Sequence, residues 1–308
     1  MAEYPGALAE TVIRRTELAC PAQHAQRMAK AAASDADQVV FDLEDGTAVS
    51  QKVTARDTLI TALNTLDFGA KLRAFRPNGV STHYFYRDVI QVVEAAGTHV
   101  DVMVLPKVAG PEDIYFADRL LGQIEATVGL EPGRIKLEAL IESAEAVLHA
   151  EAIAKASPRM TGLIFGLVDY AGDIGSVEVG AEQFFYHHYA KAKTIAAARA
   201  AGITCVDGVT LAIREPEACR RDARMAARMG FDGKWAIHPS QIAIINEAFT
   251  PTRAEAEHAA RIIAAYERAD REQGVGALVV DDQMVDAANL RIAFKRLSIA
   301  RRAGVLAD

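Results

Sequence analysis

Two short apolar runs, K-L-E-A-L-I-E at 136–142 and G-L-I-F-G-L-V-D at 162–169, each end in a carboxylate, with a helix-length, alanine-rich segment between them. Runs of this kind in series form a βαβ unit, whose parallel strands bring their C-terminal ends side by side. Glu142 and Asp169 then neighbour each other at one rim of a parallel sheet. Two carboxylates in a partly dry cleft repel, so they must share a proton or hold a cation. Oxygen-only ligation suits Mg²⁺, which takes one or two carboxylates and completes its octahedron with water and substrate. The same side chains could instead cap helices or form salt bridges, and the residues alone leave both readings standing.

The alternation extends along the chain. Further strand runs lie at 16–20, 38–42, 72–76, 102–105, 204–206 and 234–237, and helix-period apolar spacing fills the intervals, as at 53–66, 83–96, 111–128, 183–201 and 215–229. Eight strands alternating with helices, with no hairpin signal between them, predict an α/β fold of the TIM (β/α)8 barrel type, whose usual size is about 250 residues. A doubly wound open sheet is the runner-up, but no G-x-G-x-x-G turn follows the first strand. Beyond Phe249 the rhythm changes. Thr252 and Glu255 have capping-box spacing for a helix to about Arg271, and A-L-V-V-D-D-Q-M-V-D then precedes a helix at about 287–303 with no barrel strand left to pair. The expected organisation is a barrel over residues 1–250 and a C-terminal helical lid extension over 251–308.

Composition removes other classes. With 51% hydrophobic and 24% charged residues the chain is globular, and a net charge of -7 argues against a nucleic-acid-binding surface. No stretch reaches the roughly 18 apolar residues of a membrane span, and the N-terminal residues lack a signal-peptide pattern, so a cytoplasmic protein without membrane partners is expected. Cys20, Cys205 and Cys219 are too few and scattered for a disulfide framework and read as buried thiols.

A barrel places catalytic groups at the C-terminal ends of its strands. Those ends read Asp42, Glu44 and Asp45; Arg76; Lys107; Glu142; Asp169; Asp207; and His238. The opposite ends read Gln38, Val102, Gly162 and Thr204, and the charged exceptions, Lys71, Lys136 and Lys234, include no acid. Arg76 could be a tie to Glu44 or Asp45, or a clamp for a carboxylate or polarised carbonyl. Glu44 and Asp45 could orient metal-bound water or brace loops. Lys107 and His238 adjoin prolines in tight turns, Asp207 precedes Gly208 in a turn, and His187 and His188 read as packed or solvated helical residues.

D-L-E-D at 42–45 with Lys52 and Arg56, F-R-P-N-G at 75–79, V-L-P-K at 104–107, I-E-S-A at 141–144, G-L-V-D-Y-A at 166–171, V-D-G at 206–208 and G-K-W-A-I-H-P-S-Q at 233–241 occur in this order. Together they resemble the citrate lyase β-subunit-like CoA-ester lyases, most closely the malyl-CoA lyase branch, over residues 14–303. The resemblance implies a TIM barrel with a lid, dependence on Mg²⁺ with Mn²⁺ as its substitute, and homotrimers or hexamers in which one subunit's lid completes its neighbour's site. It implies Glu142 and Asp169 as metal ligands, Arg76 as the group that holds the oxo-acid and polarises the thioester carbonyl, and Glu44 as an acid near the metal's water. M-V-D at 284–286 resembles the lid motif, which makes Asp286 the acid/base; without the resemblance it reads as a helix N-cap. The first loop, Pro21-Ala22-Gln23-His24, departs from the family's P-G followed by an arginine, and Arg15, Lys30, Lys52 and Arg56 are the substitutes for CoA phosphate contacts. The segment after Asp169 also departs from the family's usual small-residue run.

The implied activity is reversible Claisen-type cleavage of a 3-hydroxyacyl-CoA: malyl-CoA to acetyl-CoA and glyoxylate, or a methylmalyl or citramalyl analogue, the latter releasing pyruvate. A malyl-CoA thioesterase on the same scaffold and a subunit of a larger citryl-CoA-type lyase complex are the alternatives.

Overall fold

In the computed structural model residues 13–177, 186–274 and 276–306 are described. Eight parallel strands close into a barrel in sequential order: β1 Thr16–Pro21, β2 Gln38–Asp42, β3 Leu72–Arg76, β4 Val102–Leu105, β5 Lys136–Ile141, β6 Met160–Phe165, β7 Thr204–Asp207 and β8 Gly233–Ala236. β8 returns to β1 through Thr16↔Lys234, Glu17↔Trp235 and Leu18↔Ala236. β2, β4 and β5 are buried on both faces almost throughout, which is why they read as near-continuous apolar runs rather than alternating ones. Helices α1 Ala25–Ala32, α2 Lys52–Thr65, α3 Phe85–Ala96, α4 Pro111–Thr127, α5 Ala144–Lys155 and α6 Leu167–Asp173 follow the first six strands. Helices His188–Ala201 and Pro216–Met229 flank β7. Both end at a left-handed glycine, Gly202 and Gly230, whose φ of 71° and 114° a β-carbon would strain. The expected helix over 183–201 begins among residues outside those described.

Strand parity sorts the barrel interior into three layers. Val40, Ala74, Val102, Val104, Leu140, Ile164, Val206 and Trp235 form an apolar middle layer. Two residues further toward the C-terminal ends, the same faces carry Asp42, Arg76 and Glu142; two residues toward the N-terminal ends they carry Gln38, Glu138, Gly162 and Thr204. The absence of acids expected at the N-terminal ends is corrected here. Glu17 and Glu138, set inside their strands rather than at the first residue, are both fully buried there, and Arg14 donates to Glu138 and to Thr204 Oγ1 (3.1 Å).

The chain divides into two compact units, Arg14–Asn246 and a second running from Glu247. In the second, helices Arg253–Gln273 and Ala287–Arg302 pack around Ala259, Ile263, Tyr266, Val285, Leu290, Ala293 and Leu297. The Thr252–Glu255 capping box forms. The segment between these helices is an antiparallel hairpin, β9 Ala277–Val280 with β10 Gln283–Asp286, which sequence analysis did not anticipate. Asp281 and Asp282 turn it with φ of 47° and 61°, the double positive φ of a two-residue loop that Asp tolerates better than most side chains. Among the described residues no helix is long and apolar enough to cross a membrane.

Candidate active site

The register of β2 on β3 sets Asp42 beside Arg76. Arg76 donates Nε to Asp42 Oδ1 at 2.7 Å and Nη2 to Oδ2 at 2.6 Å, a two-pronged fork that fixes the plane of the guanidinium. Asp42 also accepts the backbone N–H groups of Glu44 (2.8 Å) and Gly46 (2.7 Å). Burial alone would raise this carboxyl, but the Arg76 charge and the N–H donors outweigh it and hold it below the usual range. A β-carbon on Gly46 would lie 2.3 Å from Asp42 Oδ2, so the loop closes on Asp42 only with glycine there. The fork leaves Arg76 Nη1 facing Glu44 Oε2 at 3.3 Å. Burial raises the Glu44 carboxyl against the opposing pull of Arg76.

Glu142 follows β5 and shares the inward parity of Leu140. It is buried, and its Oε1 accepts the backbone N–H of Lys107 at 2.6 Å. A β-carbon on Gly166 would sit 2.4 Å from Glu142 Cβ and 2.7 Å from Oε2, so Gly166 makes the space that Glu142 fills. Burial pushes the Glu142 carboxyl up to about 7 against the nearby Lys107 ammonium, with the charge of Asp169 adding to the rise. Ser143 then caps α5, accepting the N–H of Ala146 at 3.0 Å, so the I-E-S-A motif couples an inward acid to a helix start. Asp169 lies elsewhere than the run 162–169 suggests. β6 stops at Phe165, and Asp169 stands in the first turn of α6, where the helix dipole favours an acid.

One cation joins these groups. The Lys107 ammonium is paired with Asp169, lies 3.3 Å from Asp45 Oδ2, and is 3.9 Å from both Glu44 Oε1 and Glu142 Oε1. Oxygens from the segments after β2, β5 and β6 thus face one positive charge at the rim, and oxygen donors of this kind suit a hard divalent ion. Among the described residues no three His, Cys, Asp or Glu side chains gather tightly enough to hold an ion alone. Glu142 and Asp169 would therefore leave the remaining positions to water and substrate oxygens, as Mg²⁺ prefers.

The other candidates fall into place around this centre. Lys52 donates to Leu43 O (3.0 Å), Glu44 O (2.8 Å) and Asn78 Oδ1; Asn78 in turn donates to Asp88 Oδ2, and Arg56 Nε to Asp88 Oδ1 at 2.6 Å. Lys52 and Arg56 are buried in this chain, which staples the loops after β2 and β3 together and leaves neither charge exposed to a phosphate. Arg15 precedes β1 at the opposite end of the barrel and forks onto Asp37 (2.9 and 2.7 Å), and Lys30 is exposed in the last turn of α1, which runs away from the rim. Arg15, Lys52 and Arg56 thus have their charges met by protein oxygens, whereas Lys30 is exposed. Asp207 has the opposite parity to Val206 and points outward, where Lys191 and Lys234 each approach it at 2.7 Å. His238 is exposed and meets Ser240 Oγ at 2.8 Å. His187 is buried edge-on to Tyr170, ring centroids 5.6 Å apart, while His188 is exposed. Asp286, in the second unit, caps Ala287–Arg302 by accepting Ala288 N (2.8 Å) and Asn289 N (3.2 Å). Cys20, Cys205 and Cys219 are buried free thiols, and burial pushes Cys20 up to about 11.

Residues 15–239, nearly the whole barrel, match the family model described as HpcH/HpaI aldolase/citrate lyase. The chain belongs to this family. It is 38% identical over 294 residues to an L-malyl-CoA/β-methylmalyl-CoA lyase of Cereibacter sphaeroides, covering 91% of this chain and 92% of that protein. A (3S)-malyl-CoA thioesterase of the same species is 37% identical over 297 residues, covering 95% and 96%. Among solved structures, the protein CitE of Mycobacterium tuberculosis in complex with magnesium, acetoacetate and coenzyme A superposes with a TM-score of 0.75 at 31% identity, over 94% of this chain and 98% of that one. A citrate lyase from Burkholderia xenovorans, at 21% identity, shares the fold with a TM-score of 0.85 over 97% and 95%.

Proposed function

We propose that the protein is a Mg²⁺-dependent CoA-ester lyase that cleaves malyl-CoA, or a methylmalyl or citramalyl analogue, to an acyl-CoA and a 2-oxo acid. The observation that carries this reading is the convergence of Glu142 and Asp169 on one cation beside a guanidinium already aimed by Asp42. The lyase relative and the CitE complex support the same chemistry.

Glu142 and Asp169 would hold the ion, and when bound it supplies Lewis-acid polarisation of the oxo-acid oxygens. In cleavage the 3-hydroxyl proton passes to the Glu44 carboxylate, which burial makes more basic against the pull of Arg76. As the C2–C3 bond of the malyl group breaks, its electron pair moves onto the thioester as an enolate, and the C–O group left on the other carbon becomes the carbonyl of glyoxylate. Arg76 donates to the enolate oxygen, its plane held by Asp42 so that no reorientation is needed as charge develops. Asp286 delivers a proton to the enolate carbon and completes the acetyl group; in condensation it removes that proton. We assign Asp286 to this step from a neighbouring subunit of a homotrimer or hexamer, within the cytoplasm.

The thioesterase relative, nearly as similar over slightly more of the chain, favours a second reading in which the thioester is hydrolysed. Purified protein with Mg²⁺ and malyl-, methylmalyl- or citramalyl-CoA separates the two. Free 2-oxo acid with no free thiol supports the lyase; CoA thiol with malate supports hydrolysis; no turnover of any of the three rejects both.

A further inference from the structure

The Lys107 ammonium lies within 3.9 Å of Glu44, Asp45, Glu142 and Asp169, and the steps above do not use it. It follows β4 with φ 54°, a left-handed conformation uncommon for any residue but glycine, asparagine or aspartate and costly to hold. That turn aims two groups of the same residue at the ligand pair: the backbone N–H at Glu142 Oε1, and the ammonium at Asp169. Gly79 flanks the lysine stem, where a β-carbon would lie 3.4 Å from Lys107 Cβ and 3.5 Å from Cγ. The side chain is 36% exposed, so a lysine free to seek water could turn outward; it lies inward across the carboxylates instead.

We propose that Lys107 is an internal counter-ion: its ammonium holds the cation position between Glu142 and Asp169 until a divalent ion enters, and entry of the ion expels it toward the open rim. The inference rests on the metal-dependent reading of the site. An ammonium paired with Asp169 and a divalent ion on the same carboxylate would repel strongly at contact distance, so occupancy by one excludes the other. Without the ion, the ammonium offsets part of the charge of the four neighbouring carboxylates. Metal affinity is then a difference between two cations competing for one set of oxygens.

Reductive methylation of the full-length wild-type protein with isotopic formaldehyde, read by peptide mass spectrometry with and without saturating Mg²⁺, tests this. Lys107 is labelled slowly without Mg²⁺ and several-fold faster with it, while the exposed Lys30 is labelled equally in both. Unchanged or slower labelling of Lys107 in protein that binds Mn²⁺ by electron paramagnetic resonance overturns the inference and leaves the metal reading intact. Absence of Mn²⁺ binding overturns both. In a parallel titration Lys107→Met binds Mn²⁺ about tenfold more tightly than wild type, the size of an ordinary coupling between two ligands; equal or weaker binding counts against the proposal.

Discussion

The two ends of the barrel bury the same kinds of side chain and use them oppositely. At the lower end Arg14, Glu17, Gln38, Glu138 and Thr204 fill the interior, and Glu17 and Glu138 are wholly shielded from solvent. Glu138 is held from both sides, by Arg14 on Oε1 and by Gln38 Nε2 on Oε2 at 2.8 Å. At the upper end Arg76, Glu44 and Glu142 are also buried or nearly so, yet Lys107 and Asp169 stand 36% and 41% exposed, and the acids outnumber the cations that meet them. A polar layer closed to solvent, even one in which Glu17 Oε1 and Oε2 find no hydrogen-bond partner, can only hold the barrel together. An open layer whose carboxylates meet a half-exposed ammonium is within reach of solvent and ligand. The same residue types thus become scaffold or site according to whether solvent and ligand can reach them.

The sharpest way to break this comparison is to neutralise one acid at the upper end. On the proposed metal reading Glu142→Gln and Asp169→Asn each remove a ligand worth several kcal/mol of transition-state stabilisation, so Mg²⁺-dependent turnover falls about a thousandfold or more. The midpoint of urea unfolding should stay near that of wild type, because Asp169 already faces water and a glutamine at 142 keeps an oxygen to accept the Lys107 N–H. A variant with full turnover removes the metal assignment.

The mirror experiment is Arg14→Met at the lower end. It leaves Glu138 buried with Gln38 alone, and breaking a buried pair in this way costs about 3–5 kcal/mol. Equilibrium unfolding measures that loss, while kcat/KM of the folded fraction stays unchanged because the apolar middle layer separates Arg14 from the rim. A variant that keeps its stability but loses turnover would show that the two ends are not independent.

A pair of glycines sharpens the contrast one layer at a time. In Gly162→Ala the new β-carbon would meet Thr204 Oγ1 at 2.8 Å and Glu138 Oε1 at 3.0 Å, and in Gly166→Ala it would meet Glu142 Cβ at 2.4 Å. Overpacking of this kind costs about 1–3 kcal/mol. Gly162→Ala should lose stability and keep Mn²⁺ affinity, whereas Gly166→Ala, by displacing Glu142, should lose Mn²⁺ affinity as well. Equal Mn²⁺ affinities in the two variants would mean that Gly166 does not set the position of the ligand.

Much of this arrangement was legible before any coordinates. Continuous apolar runs separated by helix-period segments give eight strands because a parallel sheet is buried on both faces, and Leu72–Arg76 and Val102–Leu105 are found where the periodicity puts them. Glu142 was legible because an acid directly after such a run must point into or out of a rim. Three things were not. Period-two parity cannot say which alternate set faces inward until the barrel closes, so outward Asp207 looked like a rim acid. Reading only the first residue of each strand missed Glu17 and Glu138, which lie inside theirs. Lys52 and Arg56 stand in the same motif as Glu44, but their binding to Leu43 O, Asn78 and Asp88 depends on loops meeting across two βα units, which no local spacing encodes.

The smallest expected effect tests whether the lower layer is as closed as it looks. Burial raises the Glu17 carboxyl well above its ordinary 4.5, the charge of Glu138 raises it further, and Arg14 only partly offsets the two. The folded protein therefore keeps a proton on Glu17 that the unfolded chain gives up. Its stabilising contribution is complete below pH 4.5 and is lost as pH rises from there toward the folded value, because in that window the folded state binds more protons. Glu17→Gln carries no such proton and keeps the shape, so its unfolding free energy should fall less steeply with pH than that of wild type, by up to about 1.4 kcal/mol per pH unit. Urea melts of both proteins from pH 4.5 upward measure the difference. Parallel curves would mean that water reaches Glu17 after all, and the lower layer would then be as open as the site above it.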